Sequence, residues 1–102
     1  MYNYDIQYSK ESKQDLIEIK KYIKEILQEP ETSHKLITRI RKEIETLKAN
    51  PEIYAIIDED MIRNLEIRKL IIDNYIVFYR IKKDKIQIVR VMYGRRDWVK
   101  LL

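Results

Sequence analysis

Cationic and aromatic side chains are interspersed through the C-terminal part of the chain, and side chains of these two kinds can bind nucleic acid or assist its cleavage. They are Arg63, Arg68, Lys69, Arg80, Arg90, Arg95, Arg96 and Lys100, with Tyr75, Tyr79, Tyr93 and Trp98 between them. Arginine clamps phosphate groups through paired hydrogen bonds, and aromatic rings stack on unpaired bases. Such cations can also stabilise the charged state formed when RNA is cleaved by its own 2′-hydroxyl, without a metal. Because the same residues would fit an acidic protein surface, the pattern leaves both kinds of partner open.

The charge of the chain is unevenly distributed. The net charge is +4, but residues 63–102 hold 11 Lys and Arg against 4 Asp and Glu, a net charge of +7. Residues 1–62 hold 10 against 13, a net charge of −3. A positive field concentrated in one segment favours a polyanion or an acidic protein as partner.

Several kinds of functional site are disfavoured by what the sequence lacks. It has one histidine, His34, and no cysteine, which disfavours common zinc sites and a Cys–His pair. A single glycine cannot form a phosphate-binding loop, and no pair of carboxylates stands out. We therefore expect no metal and no small-molecule cofactor. With no apolar run of about 20 residues and no segment typical of a signal peptide, we expect a cytoplasmic protein without a membrane partner.

The first half of the chain is predicted to form one strand and two helices. Polar and apolar residues alternate over Asn3–Tyr8, which is typical of a strand. Ser9 is a candidate N-cap for an amphipathic helix over Lys10–Leu27. A second helix is expected to follow a cap at Thr32 and to end before Asn50-Pro51, because the residue before proline avoids helical angles.

The second half is predicted to be a three-stranded meander. Residues 51–62 have no clean period and are expected to form a loop, and β character begins at Leu65. Asp73-Asn74 is a turn pair that tolerates left-handed geometry, and the strands after it are expected at Tyr75–Ile81 and Ile86–Tyr93. Their short turns require antiparallel neighbours.

These elements predict a single α+β domain over residues 1–102, in the order β-α-α-β-β-β. The first strand should join an antiparallel sheet, and the helical hairpin should cover one face, leaving the other face partly open. Simple alternation places Ile86, Ile88, Arg90 and Met92 on one face of the last strand. Gly94 is expected where the backbone needs a conformation that other residues resist, and Trp98 is expected to anchor the C-terminal segment on the sheet.

Several segments, taken in order, resemble a known family over nearly the whole chain. They are YSKESKQDLIEIKKYI near the start, LKANPEIY before the meander, IRKL at Ile67–Leu70, NYIVFYRI at Asn74–Ile81 and IVRVMYGRRDW at Ile88–Trp98. The chain is identified as a member of the RelE/ParE superfamily of bacterial toxins. The resemblance implies a compact α+β toxin that a cognate antitoxin protein holds inactive.

The family includes two mechanisms, and the resemblance assigns residues to each. RelE-like members cleave mRNA on the ribosome, and ParE-like members inhibit DNA gyrase without known hydrolytic chemistry. For a nuclease, the resemblance implies that Lys69, Arg96 and Tyr93 are catalytic. For either mechanism, contact with the target or with RNA is expected from the remaining strand and C-terminal arginines, which are Arg68, Arg80, Arg90 and Arg95.

One departure from the nuclease pattern favours the ParE-like mechanism. RelE-like nucleases usually carry an arginine directly after the tyrosine that begins the central strand, and this chain has Ile76 there. An isoleucine cannot stabilise the charge of a phosphate. The alternatives are a ribosome-dependent mRNA endoribonuclease, with Arg90 compensating from the next strand, and an inactive relative that only binds the antitoxin.

Overall fold

The computed structural model describes residues 4–94 and 97–102, in which two helices pack against one face of a four-stranded sheet. The strands and helices are β1 (Asp5–Tyr8), α1 (Lys10–Lys21), α2 (Pro30–Thr46), β2 (Arg68–Ile72), β3 (Tyr75–Lys82) and β4 (Lys85–Tyr93). A π-helical turn at Tyr22–Ile26 extends α1, and short 3-10 helices lie at Arg63–Leu65 and Trp98–Leu101. The predicted α+β fold and element order are confirmed.

The sheet has the strand order β1-β4-β3-β2. The strands β2, β3 and β4 form the predicted antiparallel meander, and Asp73 adopts left-handed geometry with φ of 52° at the first turn. The expectation of a wholly antiparallel sheet was wrong for β1, which runs parallel to β4. No hairpin joins these two strands, because the helices and two other strands lie between them in sequence, so their directions are not forced to alternate.

The start of α1 is tied directly to the sheet. The Ser12 amide donates to Ser9 Oγ over 2.9 Å, which confirms the predicted N-cap, and Ser9 Oγ donates to the Val89 carbonyl over 2.7 Å. The predicted cap at Thr32 was wrong, since α2 begins at Pro30. Proline suits a first helical position, where its missing N–H is not needed.

The main hydrophobic core lies between the helical hairpin and the sheet. Its buried residues come from both helices, the segment after α2 and three strands, and they are Leu16, Ile40, Ile44, Leu47, Leu70, Ile72, Val77, Tyr79, Ile86, Ile88 and Val91. The one hydroxyl among them is satisfied, because Tyr79 donates to the Pro51 carbonyl over 2.8 Å. This bond joins β3 to the loop that follows α2.

A second apolar cluster covers part of the other face, which the sequence had suggested would be partly open. Its buried members are Ile57, Ile62, Ile67, Ile76, Phe78 and Met92. The predicted role of Trp98 as an anchor is confirmed, because its ring lies 5.1 Å from that of Phe78, centroid to centroid. The C-terminal turn is thereby held against the sheet, and both faces carry apolar packing.

A bulge in β4 breaks the predicted alternation. Phe78 pairs with Arg90 and Tyr79 with Ile88, so Val89 is an extra residue without a counterpart in β3. Ile88 and Val91 both join the core beneath the helices, whereas Met92 joins the opposite cluster. The expectation that Ile86, Ile88, Arg90 and Met92 share one face was therefore wrong, because alternation is interrupted by one residue.

Gly94 is required by close approach and not by an unusual backbone angle. Its φ is not positive, so the predicted conformational reason was wrong. Its amide donates to the Asn74 carbonyl over 2.8 Å, and a Cβ at this position would lie 3.3 Å from that oxygen. A residue with a Cβ would need the turn between β2 and β3 to move by a few tenths of an ångström.

The buried hydroxyl of Tyr79 predicts an alkaline limit to stability. Burial raises the pKa of Tyr79 from 10.0 to about 12, although the nearby Arg68 charge opposes this. Between these two values the phenol ionises in the unfolded chain and not in the folded one, so stability present below pH 10 is lost as pH rises towards 12. We expect Tyr79→Phe to lower the free energy of unfolding at neutral pH by about 1 kcal/mol. The variant should also lose less stability than the wild type as the pH rises from 10 to 12.

Urea denaturation between pH 8 and 12 measures this effect, with Tyr22→Phe on the exposed surface of the helical hairpin as the matched variant. If the wild type and Tyr79→Phe lose stability in parallel over this range, Tyr79 is not the group responsible.

Candidate functional site

Arg90, predicted to contact the target, is held by an ion pair inside the fold. Its guanidinium donates two hydrogen bonds to the Asp15 carboxylate of α1, of 2.7 and 2.8 Å. The exposed fractions of the Arg90 and Asp15 side chains are 19% and 8%. The hydrogen bond to Asp15 raises the pKa of Arg90, so its charge is permanent. Such a pair fixes α1 on β4 and leaves Arg90 little freedom to bind a second anion.

Asp15 also completes the hydrogen bonding of the sheet edge. Its carboxylate accepts the amide of Val91 over 2.9 Å. In the part of the chain that the structure describes, β1 pairs with β4 only as far as Ile88, so the Val91 amide has no strand partner on this side. A buried amide left without an acceptor would be costly, and Asp15 supplies the acceptor.

The sequence reasoning missed Asp15, although a signal was present. Asp15 lies on α1 within the stripe of buried and half-buried residues at Ser12, Leu16, Ile19 and Ile23. A carboxylate in such a stripe must find a cation or several donors, because burying it alone is very unfavourable. The strand arginines were therefore candidates for internal partners as well as for external ones.

Arg68 also serves the fold. Its guanidinium donates to the carbonyl oxygens of Tyr54 and Glu52, and the side chain is half-buried. Its strand neighbour is Tyr79, whose hydroxyl binds the same loop at Pro51. Together these two side chains hold the loop after α2 against β2 and β3.

Lys69 and Arg80 lie on the sheet face opposite the helices. Lys69 is exposed, pairs across the strands with Phe78, and places Nζ 5.7 Å from the centre of the Trp98 ring. Arg80 is half-buried, donates from Nε to Gln87 Oε1 over 2.7 Å, and lines an open groove of about 940 Å³ with Leu102. These two cations therefore flank the C-terminal turn on the same face.

Tyr93 lies on the other side of the sheet. It follows Val91 on the helix-facing side of β4, and its ring meets that of Tyr75 edge to face at 5.6 Å. Lys69 and Tyr93, both proposed for catalysis by the resemblance, thus lie on opposite faces. Arg95 and Arg96 fall outside the described residues.

Ile76 is part of the packing beneath the C-terminal segment. Its side chain is 8% exposed and belongs to the second apolar cluster, with Phe78 and Met92. It also limits the space at Gly94, whose Cβ would lie 3.4 Å from Ile76 Cδ1. Where a RelE-like nuclease would carry a phosphate-binding arginine, this protein has a buried apolar contact.

Residues 4–94 and 97–102 hold neither a cluster of potential metal ligands nor a helix able to span a membrane. These residues contain no group of three or more His, Cys, Asp or Glu side chains placed to hold a metal ion. None of their helices has the length and apolar character needed to cross a bilayer.

Comparison with known proteins identifies the family. A family described as "ParE toxin of type II toxin-antitoxin system, parDE" matches residues 6–98. A solved structure titled "Chromosomal ParDE TA system from P. aeruginosa" is similar, with a TM-score of 0.72 and 20% identity over 88% of this chain and 95% of the other. No curated protein sequence matched. The family match spans most of the chain, and the likeness in structure supports the fold.

The chain belongs to the ParE toxin family of type II toxin–antitoxin systems.

The pair between Asp15 and Arg90 predicts a large loss of stability when it is broken. Asp15→Asn removes the negative charge that pairs with the largely buried Arg90 guanidinium. We therefore expect the free energy of unfolding to fall by roughly 2–3 kcal/mol. The matched control is Glu45→Gln, which removes an exposed ion pair to Lys48 and should cost no more than about 1 kcal/mol. Urea denaturation of both variants tests this, and equal small losses would contradict a structural role for Asp15.

Proposed function

We propose that this protein inhibits growth by binding DNA gyrase and cuts no RNA, and that a cognate antitoxin neutralises it. The observation that supports this most is the placement of Lys69 and Tyr93 on opposite faces of the sheet. A general acid or base and the cation that stabilises the same reacting phosphate must converge on one atom. Residues separated by the sheet cannot do so.

The placement of the other cations adds to the proposal. Arg90 is paired with Asp15, Arg68 binds loop carbonyls, and Ile76 is buried in an apolar cluster. Among the described candidates, Lys69 and Arg80 form neither an ion pair nor a bond to a loop carbonyl with another described residue, and both lie beside the C-terminal turn. Two separated cations around an aromatic and apolar segment suit docking on an acidic protein surface.

Membership of a toxin–antitoxin family makes an antitoxin the second proposed partner. The hairpin surface exposes large apolar side chains, at 59% for Ile17, 67% for Ile26 and 47% for Leu27. Such a surface is stabilised when a partner covers it. We propose that the antitoxin also has an extended acidic segment, which becomes ordered on this protein and reaches from the hairpin to the basic strands, as the net charge of +7 over residues 63–102 suggests.

Two assays on one preparation of the full chain test the proposed mechanism. We expect it to inhibit supercoiling by gyrase and to leave mRNA intact on translating ribosomes. Lys69→Ala combined with Arg80→Ala should weaken gyrase inhibition about tenfold or more, since both remove positive charge from the docking surface. Lys35→Ala combined with Lys42→Ala removes the same charge from α2, outside the docking surface, and should change gyrase inhibition little.

Cleavage of mRNA by the wild type, with supercoiling unaffected, would favour the RelE-like endoribonuclease instead. If neither activity is found but the antitoxin binds, the protein is an inactive relative.

The charge contribution to antitoxin binding predicts salt sensitivity. We expect the dissociation constant of the complex to rise at least tenfold between 0.1 and 1 M NaCl, because screening weakens attraction between exposed charges. Titration calorimetry at several salt concentrations measures it. A constant that does not change with salt would mean that apolar contacts alone hold the pair.

A further inference from the structure

An open pocket of about 520 Å³ lies where the end of α1 meets the ends of β3 and β4. Three tyrosines from three different elements line it, and these are Tyr22, Tyr75 and Tyr93. Its other lining residues are the apolar Ile19, Leu27, Val91 and Met92 and the acidic Asp15 and Glu18. We call this the tyrosine pocket. It lies on the side of the sheet away from Lys69 and the C-terminal turn.

The tyrosine pocket places aromatic rings beside one another. Tyr75 and Tyr93 are in edge-to-face contact, with centroids 5.6 Å apart. Burial raises the pKa of Tyr75, and the neighbouring Tyr93 and Tyr22 raise it further. Neutral aromatic faces carry partial negative charge and attract cations, more strongly when the cation is partly shielded from water.

The charges that line the tyrosine pocket are all acidic. Asp15 is paired with Arg90, whose charge also attracts Glu18 at longer range, and the Glu18 carboxylate accepts a hydrogen bond from the neutral Gln14 amide over 3.2 Å. No lysine or arginine belongs to the described lining. In a protein with a net charge of +4, the pocket is thus a local negative site next to aromatic rings.

We propose that the tyrosine pocket binds an arginine or lysine side chain of the antitoxin. The aliphatic stem would contact Ile19 and Leu27, and the cationic end would lie against the rings and the Glu18 carboxylate. A purely apolar side chain would instead cover that carboxylate without compensating its charge, which is unfavourable. The choice of the antitoxin rests on the proposed function, whereas the preference for a cation rests on the pocket itself.

The position of the pocket is the reason for assigning it to the antitoxin. Tyr22 and Leu27 belong both to the pocket lining and to the exposed apolar surface of the hairpin, with exposed fractions of 53% and 47%. A partner that covers that surface would therefore also contact the tyrosine pocket. A basic anchor in an otherwise acidic segment would fix its register, since every other acidic position would be repelled there.

Small probes test the chemistry without the antitoxin. The full chain, with isotope-labelled tyrosine rings, is titrated with N-acetyl-arginine amide and with its citrulline and norleucine counterparts. Citrulline has nearly the same shape as arginine without the charge. We expect saturable shifts of Tyr22, Tyr75 and Tyr93, with arginine binding about fivefold more tightly than citrulline. No saturable shift, or equal binding of norleucine and arginine, would overturn the proposal.

A charge variant then tests Glu18. This residue is exposed, so Glu18→Gln should fold normally, and Glu31→Gln on the exposed first turn of α2 removes the same charge outside the pocket. We expect Glu18→Gln to reduce the preference for arginine over citrulline to less than about twofold and to weaken antitoxin binding about tenfold. Glu31→Gln should leave the preference for arginine and the affinity for the antitoxin unchanged.

The outcomes separate this inference from the proposed function. If the wild type binds no antitoxin but still prefers arginine, the pocket is real and the proposed partner is wrong. If the antitoxin binds equally to both variants and its basic residues can be replaced by alanine without loss, the pocket does not receive a basic anchor.

Discussion

The fold is organised around the hydrogen bonds of the buried Asp15 carboxylate. It accepts two hydrogen bonds from Arg90 and one from the Val91 amide, so one side chain of α1 joins a helix, a strand edge and a cation. A carboxylate this buried is tolerable only with all of these donors present. It lies on the helix that follows the Ser9 contact to Val89, and it accepts the Val91 amide beyond the point where β1 stops pairing with β4.

The sheet divides the protein into two surfaces with different chemistry. On one side, the helical hairpin covers the main core and leaves exposed apolar residues and the tyrosine pocket between α1 and the strand ends. On the other side, Trp98 packs on Phe78, and Lys69 and Arg80 flank the C-terminal turn. The bulge at Val89 contributes to this division, because it sends Val91 towards the helices and Met92 to the opposite cluster. We propose that the hairpin side receives the antitoxin and that the opposite side meets the target.

Most of the fold could be predicted from the sequence, because periodicity and turn chemistry are local. Ser9 as a cap, the Asp73-Asn74 turn and the antiparallel meander all follow from a few adjacent residues. The parallel direction of β1 and the bulge at Val89 depend on pairing between distant segments, which no local pattern encodes. The candidate site was harder still. Charge and family resemblance singled out Arg68 and Arg90 for an external partner, yet both bind within the chain. The buried stripe of α1 indicated that Asp15 needs a donor, but which arginine it binds, and which loop carbonyls Arg68 binds, depend on the fold.

Buried pairing of Arg90 and apolar packing of Ile76 leave a surface suited to binding, and we propose that the protein stops growth by binding its target without cleaving RNA. The most direct measurement is made in cells that express the protein, by recording plasmid topology and the 5′ ends of transcripts as growth stops. We expect plasmids to lose negative supercoils while no new ends arise within coding sequences. New ends within translated codons, with supercoiling unchanged, would contradict the claim.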